Sequence, residues 1–255
     1  LGELAHQAHV GNWVINGLVK VGGLLPHKAM PVSEAARPNG HLPGLKLSDE
    51  QAKAGVVLAG DVVKGGFMTS LLDGVPGSGK TEVYFEAVAE ALKQKRQILV
   101  LLPEIALSAQ WLERFERRFG APPLQWHSDL SPSRRRDTWR AVAQGMVDVV
   151  VGARSALFLP FRDLALIIVD EEHEGAYKQE EGIIYNARDM AVVRAYLAKI
   201  PIVLSSATPS LETIENVKRR RYRMVHLPQR HGGAKLPDVS LIDMREEGLS
   251  NGYWL

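Results

Sequence analysis

The chain contains no cysteine in 255 residues. Disulfides and thiolate-held metals are therefore excluded from these residues, and the composition suits a reducing compartment. Long hydrophobic runs are missing too. No stretch reaches the roughly eighteen apolar residues that a membrane-spanning helix needs, and no signal-peptide pattern opens the chain. Aromatic residues make up only 7%. Charge of one sign is also lacking. Lys and Arg number 31 against 29 Asp and Glu, a net charge of +2. So small a charge does not by itself argue for nucleic acid. These absences predict a soluble, intracellular protein with no membrane partner. Hydrophobic content of 45% and charged content of 24% are ordinary globular values. A chain of this length can bury one large α/β core and a small appendage.

The first informative stretch is Gly74-Val75-Pro76-Gly77-Ser78-Gly79-Lys80-Thr81. It matches G-x-x-x-x-G-K-[ST], the loop that cradles phosphates with backbone N–H groups. Gly74, Gly77 and Gly79 can take positive φ and leave room for an anion, with Ser78 between them. A helix starting near Lys80 would point its positive end at the same place. Lys80 would reach the β- and γ-phosphates, and the Thr81 hydroxyl would ligate Mg²⁺. The setting agrees, since 67–72 reads as a buried strand and 82–95 carries apolar residues at helical spacing.

The second stretch is Leu166-Ile167-Ile168-Val169-Asp170-Glu171-Glu172-His173. A continuous apolar run ending in carboxylates reads as a parallel strand delivering them to a ligand crevice. Asp170 would hold Mg²⁺ through its water shell, and Glu171 would orient and deprotonate the attacking water. Lys80, Asp170 and Glu171 are thus the catalytic candidates. The bland alternative is an acidic helix N-terminus on the surface.

Residues 1–25 show short helical patterns with a Gly22-Gly23 turn. They read as the end of a small helical DNA-binding module, its reading helix near 11–20, or as a plain helical pair. Residues 26–46 are rich in Pro and Gly, a linker composition. From about 47 onward strands and helices alternate. Strands are predicted at 67–73, 98–102, 147–151, 165–169 and 201–206. Helices are predicted near 82–95, 105–119, 132–145, 187–199 and 210–220, the third capped by Ser131-Pro132. That alternation predicts an α/β fold, a parallel sheet covered on both faces. Arg134-Arg135-Arg136 and Arg219-Arg220-Arg221 with Arg223 are local basic clusters. Each is also what a solvated helix face looks like. The chain starts at Leu1 and closes on Gly252-Tyr253-Trp254-Leu255, so it is expected to be a piece of a longer protein.

Three further segments follow predicted strand ends. They are Leu102-Pro103-Glu104-Ile105-Ala106-Leu107-Ser108-Ala109-Gln110, Gly152-Ala153-Arg154-Ser155-Ala156-Leu157-Phe158 and Ser205-Ser206-Ala207-Thr208-Pro209. Hydroxyls, an arginine and helix N-termini at strand ends suit a nucleic-acid backbone. With these, the chain resembles superfamily 2 helicases: 74–81 as motif I, 102–110 as motif Ia, 152–155 as motif Ib, 170–173 as motif II and 206–208 as motif III. It resembles most the primosomal replication-restart helicases of that superfamily. The wording of 102–110 and 152–158 carries this, with Glu171-Glu172-His173 followed by Tyr177-Lys178-Gln179. The resemblance is strong over 47–250 and weaker over 1–25, which looks like the end of a winged-helix domain.

The resemblance implies a RecA-like P-loop NTPase lobe over 47–255. It implies an ATP-dependent 3′-to-5′ DNA helicase, bacterial and cytoplasmic, that acts on stalled or forked DNA with single-stranded arms and starts primosome assembly. Its partners would include single-stranded-DNA-binding protein and primosome proteins. Gln51, in Leu47-Ser48-Asp49-Glu50-Gln51, would bond the adenine. His173, Ser206 and Thr208 would couple nucleotide state to DNA grip. Pro103, Ser108, Gln110, Arg154 and Ser155 would touch DNA. So would Tyr177, Lys178, Tyr185 and Arg188 in an aromatic-rich loop, where aromatic faces stack bases. Packing is the plain alternative for the tyrosines. Glu174 and Gly175-Ala176 depart from the Asp and Ser expected there. ATP and Mg²⁺ are the implied cofactors. The family's zinc would belong to the full-length protein and not to this cysteine-free chain. Also implied is a second RecA-like lobe that supplies arginines to the ATP site and is not encoded here. Two other readings stand beside this one, another superfamily 2 DNA translocase and a non-catalytic nucleotide-gated DNA-binding module.

Overall fold

A computed structural model describes residues 5, 8, 10–24, 36–103 and 109–230. In chain order the elements are α1 (Asn12–Lys20), α2 (Asp49–Lys64), β1 (Met68–Gly74), α3 (Lys80–Lys93), β2 (Gln97–Leu101) and α4 (Ala109–Phe119). Next come β3 (Leu124–Trp126), α5 (Pro132–Ala143), β4 (Val149–Gly152), a 3₁₀ turn (Arg154–Phe158) and β5 (Leu164–Val169). A short turn (Gly175–Tyr177) leads to the hairpin β6 (Lys178–Gln179) and β7 (Tyr185–Asn186). The series ends with α6 (Ala187–Ala198), β8 (Pro201–Ser206), α7 (Leu211–Lys218) and β9 (Arg223–Leu227).

Seven strands form one sheet in the order β3-β4-β2-β5-β8-β1-β9. Every pairing in it is parallel. The five predicted strands are all present. Their continuous apolar runs are what burial on both faces demands: every residue of β2, β4, β5 and β8 is buried. The two strands of this sheet that were not predicted lie at its edges, and the hairpin β6/β7 outside it was not predicted either. β3 is only Leu-Gln-Trp, and β9 reads Arg-Met-Val-His-Leu with alternate residues exposed or half-exposed. Neither offers the apolar run that marks a central strand.

Side chains alternate across the sheet. Ile98, Val100, Leu166 and Ile168 enter the core beneath α2, α3 and α4, while Leu99, Leu101, Ile167 and Val169 enter the one beneath α5 and α6. The first core is organised around Phe85. Its ring meets Tyr84, Trp111, Phe115 and Phe119 edge-on, with centroids 5.3 to 5.8 Å apart. Edge-to-face pairs align the positive rim of one ring with the negative face of another, worth roughly 0.5–1.5 kcal/mol each beyond area burial. The helices predicted near 82–95, 132–145, 187–199 and 210–220 are found, as is the described part, from 109 on, of the one predicted near 105–119, and Ser131 does cap α5 by accepting from Arg134 N. α2 was not predicted. Its signal is nonetheless in the sequence as a capping box: Ser48 Oγ accepts from Gln51 N while Gln51 Oε1 accepts from Ser48 N.

Residues 36–46 carry no helix or strand but lie against the sheet domain. Asn39 N donates to Phe119 O, and Arg118 donates to Leu42 O. Gly40 passes so close to Ala89 O that a Cβ there would sit 2.3 Å from it. α1 matches the helix read over 11–20, with Gly22 at φ +73° after it.

At the opposite end from the carboxyl termini of the strands, Gln97 ties the loops together. Its Nε2 donates to Val142 O and Val147 O, and its Oε1 accepts from Arg162 N and Asp163 N. A buried amide with all four bonds made fixes its neighbours, because losing it strands four backbone groups. Gln97→Met keeps the volume and loses the bonds. It is expected to lower unfolding stability by about 2–4 kcal/mol in urea denaturation. An unchanged midpoint would show that water replaces the amide.

Candidate functional site

The loop after β1 is built as its glycines require. Gly77 and Gly79 have φ of +79° and +80°. A Cβ on Gly74 would meet Ser78 Oγ at 2.6 Å, and one on Gly79 would meet Gln51 Nε2 at 2.4 Å. Lys80 opens α3 and is 9% exposed, its Nζ donating to Gly74 O at 2.9 Å. Gln51 lies under the loop, with Nε2 donating to Ser78 O at 2.8 Å. Both ends of its amide are thus engaged, one by Ser48 and one by the loop.

Asp170 follows β5, beside β8 and facing α3. Its Oδ2 accepts from Tyr84 OH at 2.8 Å, and its Oδ1 accepts from Ser205 Oγ at 2.7 Å and from Glu171 N at 3.1 Å. Tyr84 OH in turn accepts from Trp111 Nε1 at 2.7 Å. Burial pushes the Tyr84 phenol well above its ordinary range, and the neighbouring Asp170 adds to it, so Tyr84 remains a donor. Glu171 sits at φ +46°, a left-handed backbone rare for a residue with a side chain. Burial pushes its carboxyl up and the negative Asp170 pushes it further, while Lys80 and His173 pull it down.

His173 Nδ1 is 2.8 Å from Ser206 Oγ, which also accepts from Thr208 N at 3.0 Å. The three residues expected to couple nucleotide state to DNA are thus joined in one line. Glu172 is 1% exposed. It accepts from Ser210 N, Ser210 Oγ and Thr213 Oγ1 and pairs with Arg188 at 3.2 Å.

Three residues expected at DNA are instead interior, a correction to the sequence reading. Arg188 is 6% exposed because its guanidinium serves Glu172, Asp189 and Ser210. Tyr177 is 1% exposed, and its OH donates to Leu101 O and Asp170 O. Packing, the plain alternative, is what this tyrosine does. Pro103 is buried beside Leu102, Ala153 and Arg154. Ser108 lies outside the described residues. Arg154, Ser155, Lys178 and Tyr185 stay exposed or half-exposed beyond the strand ends, and Gln110 is exposed at the start of α4. Arg154 Nη1 donates to Lys178 O, and Tyr185 meets Phe158 edge-on at 5.3 Å, which joins 154–158 to the hairpin.

The phosphate loop and the end of β5 face each other across a cavity of about 730 Å³. Gln51, Lys80, Thr81, Asp170, Glu171, His173 and Thr208 line it, together with Arg114 and Arg117. The two arginines were not anticipated. They stand three apart on α4, a spacing that a helical wheel of that segment displays. A nucleoside triphosphate fits this donor set. The volume suits a cofactor, the loop offers backbone N–H groups, and Ser78 Oγ is buried without a hydrogen-bond partner. Among the described residues no group of three or more His, Cys, Asp or Glu is placed to hold a metal. Mg²⁺ bound through phosphates and waters needs only one or two protein oxygens, which Thr81 and Asp170 can supply.

The fold and this site define a helicase-type nucleotide-binding lobe. The chain belongs to the DEAD/DEAH box helicase family, which matches residues 51–217, and that domain implies ATP with a divalent metal. Its sheet is of the RecA-like α/β kind. The structure of RecG bound to a three-way DNA junction superposes with a TM-score of 0.57 at 22% identity, over 74% of this chain and 25% of that one. Among curated proteins, the chain is similar to the replication restart protein PriA of Rickettsia conorii. They are 47% identical over 209 residues, 82% of this chain and 32% of that protein. The protein of the same name from Bacillus subtilis is 43% identical over 208 residues, 82% of this chain and 26% of that protein. The chain thus spans about a third of the length of the curated relatives it matches. The resemblance to replication-restart helicases read from the motifs is borne out.

Two outcomes test the site. Tyr84→Phe removes a donor from Asp170 and strands the buried Trp111 N–H, so unfolding stability should fall by about 1–3 kcal/mol. A variant as stable as the parent would show the chain of hydrogen bonds to be idle. Carbon-13 NMR should titrate Glu171 with a midpoint above the ordinary value of about 4.3. Asp170→Asn should lower that midpoint and Lys80→Ala should raise it. A midpoint at or below the ordinary value would remove Glu171 as a poised base.

Proposed function

We propose that this chain is the ATP-binding first motor lobe of an ATP-dependent 3′-to-5′ DNA helicase of replication restart. The intact protein would bind and unwind stalled or forked DNA in the bacterial cytoplasm and start primosome assembly, with single-stranded-DNA-binding protein and primosome proteins as partners. Polarity and partners rest wholly on the resemblance of the motifs to replication-restart helicases. Residues 1–25 read as the end of a winged-helix-like module, 26–46 as the segment joining it, and 47–255 as the lobe. No helix among the described residues is long and apolar enough to cross a membrane.

One observation carries the reading. The cavity that holds Lys80, Thr81, Asp170 and Glu171 also holds His173 and Thr208, whose shared partner Ser206 ends β8. A nucleotide there touches a hydrogen-bonded line that leads to the strand ends, where half-exposed Arg154, tied to Lys178 O, and exposed Ser155, bonded by Trp126, would meet DNA. When bound, Mg²⁺ neutralises phosphate charge and orients the nucleotide. Lys80 would grip the β- and γ-phosphates, and Thr81 and Asp170 would hold the metal, Asp170 through water. Glu171 would take the proton of the attacking water. Gln51 lies at the same cavity to meet the base, which requires it to turn from Ser48 or from the loop.

Lys80→Ala should weaken Mg-ATP binding by about ten- to a hundredfold, as loss of a charge-assisted contact does. Glu171→Gln should bind Mg-ATP as the parent does and lose whatever hydrolysis the parent shows. Turnover by the parent should be slow with or without forked DNA, because an arginine supplied across such a site is worth about 10³–10⁵ in rate. Steady-state hydrolysis and nucleotide titrations on the three proteins read all of this. Robust turnover stimulated by forked DNA would overturn the need for a second lobe. Turnover unaffected by Glu171→Gln would favour the non-catalytic module.

A further inference from the structure

The Arg134-Arg135-Arg136 run has no place in the nucleotide site. It opens α5, whose buried residues are Thr138, Ala141 and Val142. That leaves Arg136, Trp139 and Arg140 on an outer face, since positions three and four apart are neighbours on a helix. Trp139 is 50% exposed. With Arg135 and with Trp126 at the end of edge strand β3, these residues line an open groove of about 400 Å³. Arg135 lies over the Trp126 ring at 5.3 Å, and its Nε is buried without a hydrogen-bond partner. None of the α5 arginines is within ion-pair distance of a carboxylate among the described residues, whereas Arg96, Arg118, Arg188, Arg219 and Arg223 all are. Trp126 faces two ways. Its Nε1 donates to Ser155 Oγ at 3.0 Å, so the groove is joined to the segment that follows β4.

We propose that this groove is a single-stranded nucleic-acid subsite. A base stacks on the exposed face of Trp139, and Arg136 and Arg140 hold the flanking phosphates. The proposal rests on the reading of this chain as a DNA-handling lobe and adds a contact at the sheet edge. Three features select this occupant. A half-exposed indole offers an aromatic face, and stacking is tolerant of sequence because every base has one. Guanidinium groups three residues before it and one after it pair with phosphate in planar geometry. The link through Trp126 to Ser155 makes the groove continuous with the strand-end face, so one strand can run along both. An acidic peptide would satisfy the arginines but has no use for the indole face unless it brings an aromatic of its own.

The test is fluorescence anisotropy of a labelled oligothymidylate with this chain, run beside Mg-ADP titration. Trp139→Ala should weaken oligothymidylate binding about tenfold and Trp139→Phe should restore most of it, as stacking predicts. Arg136→Gln and Arg140→Gln should each reduce the salt slope of binding by about 0.7. Mg-ADP affinity should not change in any of them. Oligothymidylate affinity unaffected by Trp139→Ala overturns the subsite while leaving the DNA-handling reading intact. A parent chain that binds Mg-ADP but no oligothymidylate overturns both the subsite and the DNA-handling reading, and the nucleotide site survives. A polyglutamate peptide with a tryptophan whose binding, unlike that of DNA, is lost in Trp139→Ala overturns it in favour of a peptide site.

Discussion

The Asp170 carboxylate stands at the end of β5 with donors converging from three directions: Tyr84 on α3, Ser205 on β8 and the backbone of Glu171. A nearly buried carboxylate is tolerable only when its lone pairs are met, and hydrogen bonds to an ionised acceptor are the stronger kind. The donors therefore fix the direction in which Asp170 faces the phosphate loop. Each donor depends on a larger piece of packing. Tyr84 is set by the aromatic core around Phe85, and Ser205 by the parallel register of β8 between β5 and β1. The geometry of one carboxylate thus reports whether sheet and helices are correctly assembled.

The next two residues show how that direction is held. Glu171 adopts a left-handed backbone, a conformation that costs about 1–2 kcal/mol for a residue with a Cβ. The turn is held from both sides, with Glu171 N bound to Asp170 and Glu172 N donating to Ser205 O at 3.0 Å. Glu172 is then driven inward, where Arg188, Ser210 and Thr213 satisfy it. A buried ion pair adds little net stability, because desolvation offsets the attraction. Its effect here is positional. It binds the end of β5 to the starts of α6 and α7, so the segment after β8 cannot move independently of the segment after β5.

Much of this was legible in the sequence, for reasons that differ by residue. The central strands were readable because burial on both faces leaves an unbroken apolar run, as in 164–169. Lys80 and Asp170 were readable because the backbone geometry of a phosphate loop demands glycine at set places, and because a carboxylate after such a strand has few other uses. Edge strands were not, since β9 buries only part of itself and shows no run. Nor was the burial of Arg188 and Tyr177. Both are polar enough to suit a surface, and only the acids and carbonyls brought to them by the fold take them inside. Trp111, Phe115 and Phe119, four apart, mark a buried helix face but not what the Trp111 indole nitrogen bonds. Its partner Tyr84 is 27 positions away in sequence, and a hydrogen bond of that kind is visible only in three dimensions.

The four residues Asp170-Glu171-Glu172-His173 are divided among different duties by their partners. Asp170 is spoken for by α3 and β8, and Glu172 by α6 and α7. His173 is bound to Ser206. Among the described residues the Glu171 carboxylate accepts no hydrogen bond; the His173 ring nitrogen Nδ1 lies 3.6 Å from it. It lines the cavity, and burial and Asp170 both raise its proton affinity. A general base works best when its proton affinity is lifted toward working pH and its oxygens are not already occupied. Of the three adjacent carboxylates, Glu171 alone meets both conditions. The fold thus commits the first and third carboxylates of the motif to partners and leaves the second open to the cavity.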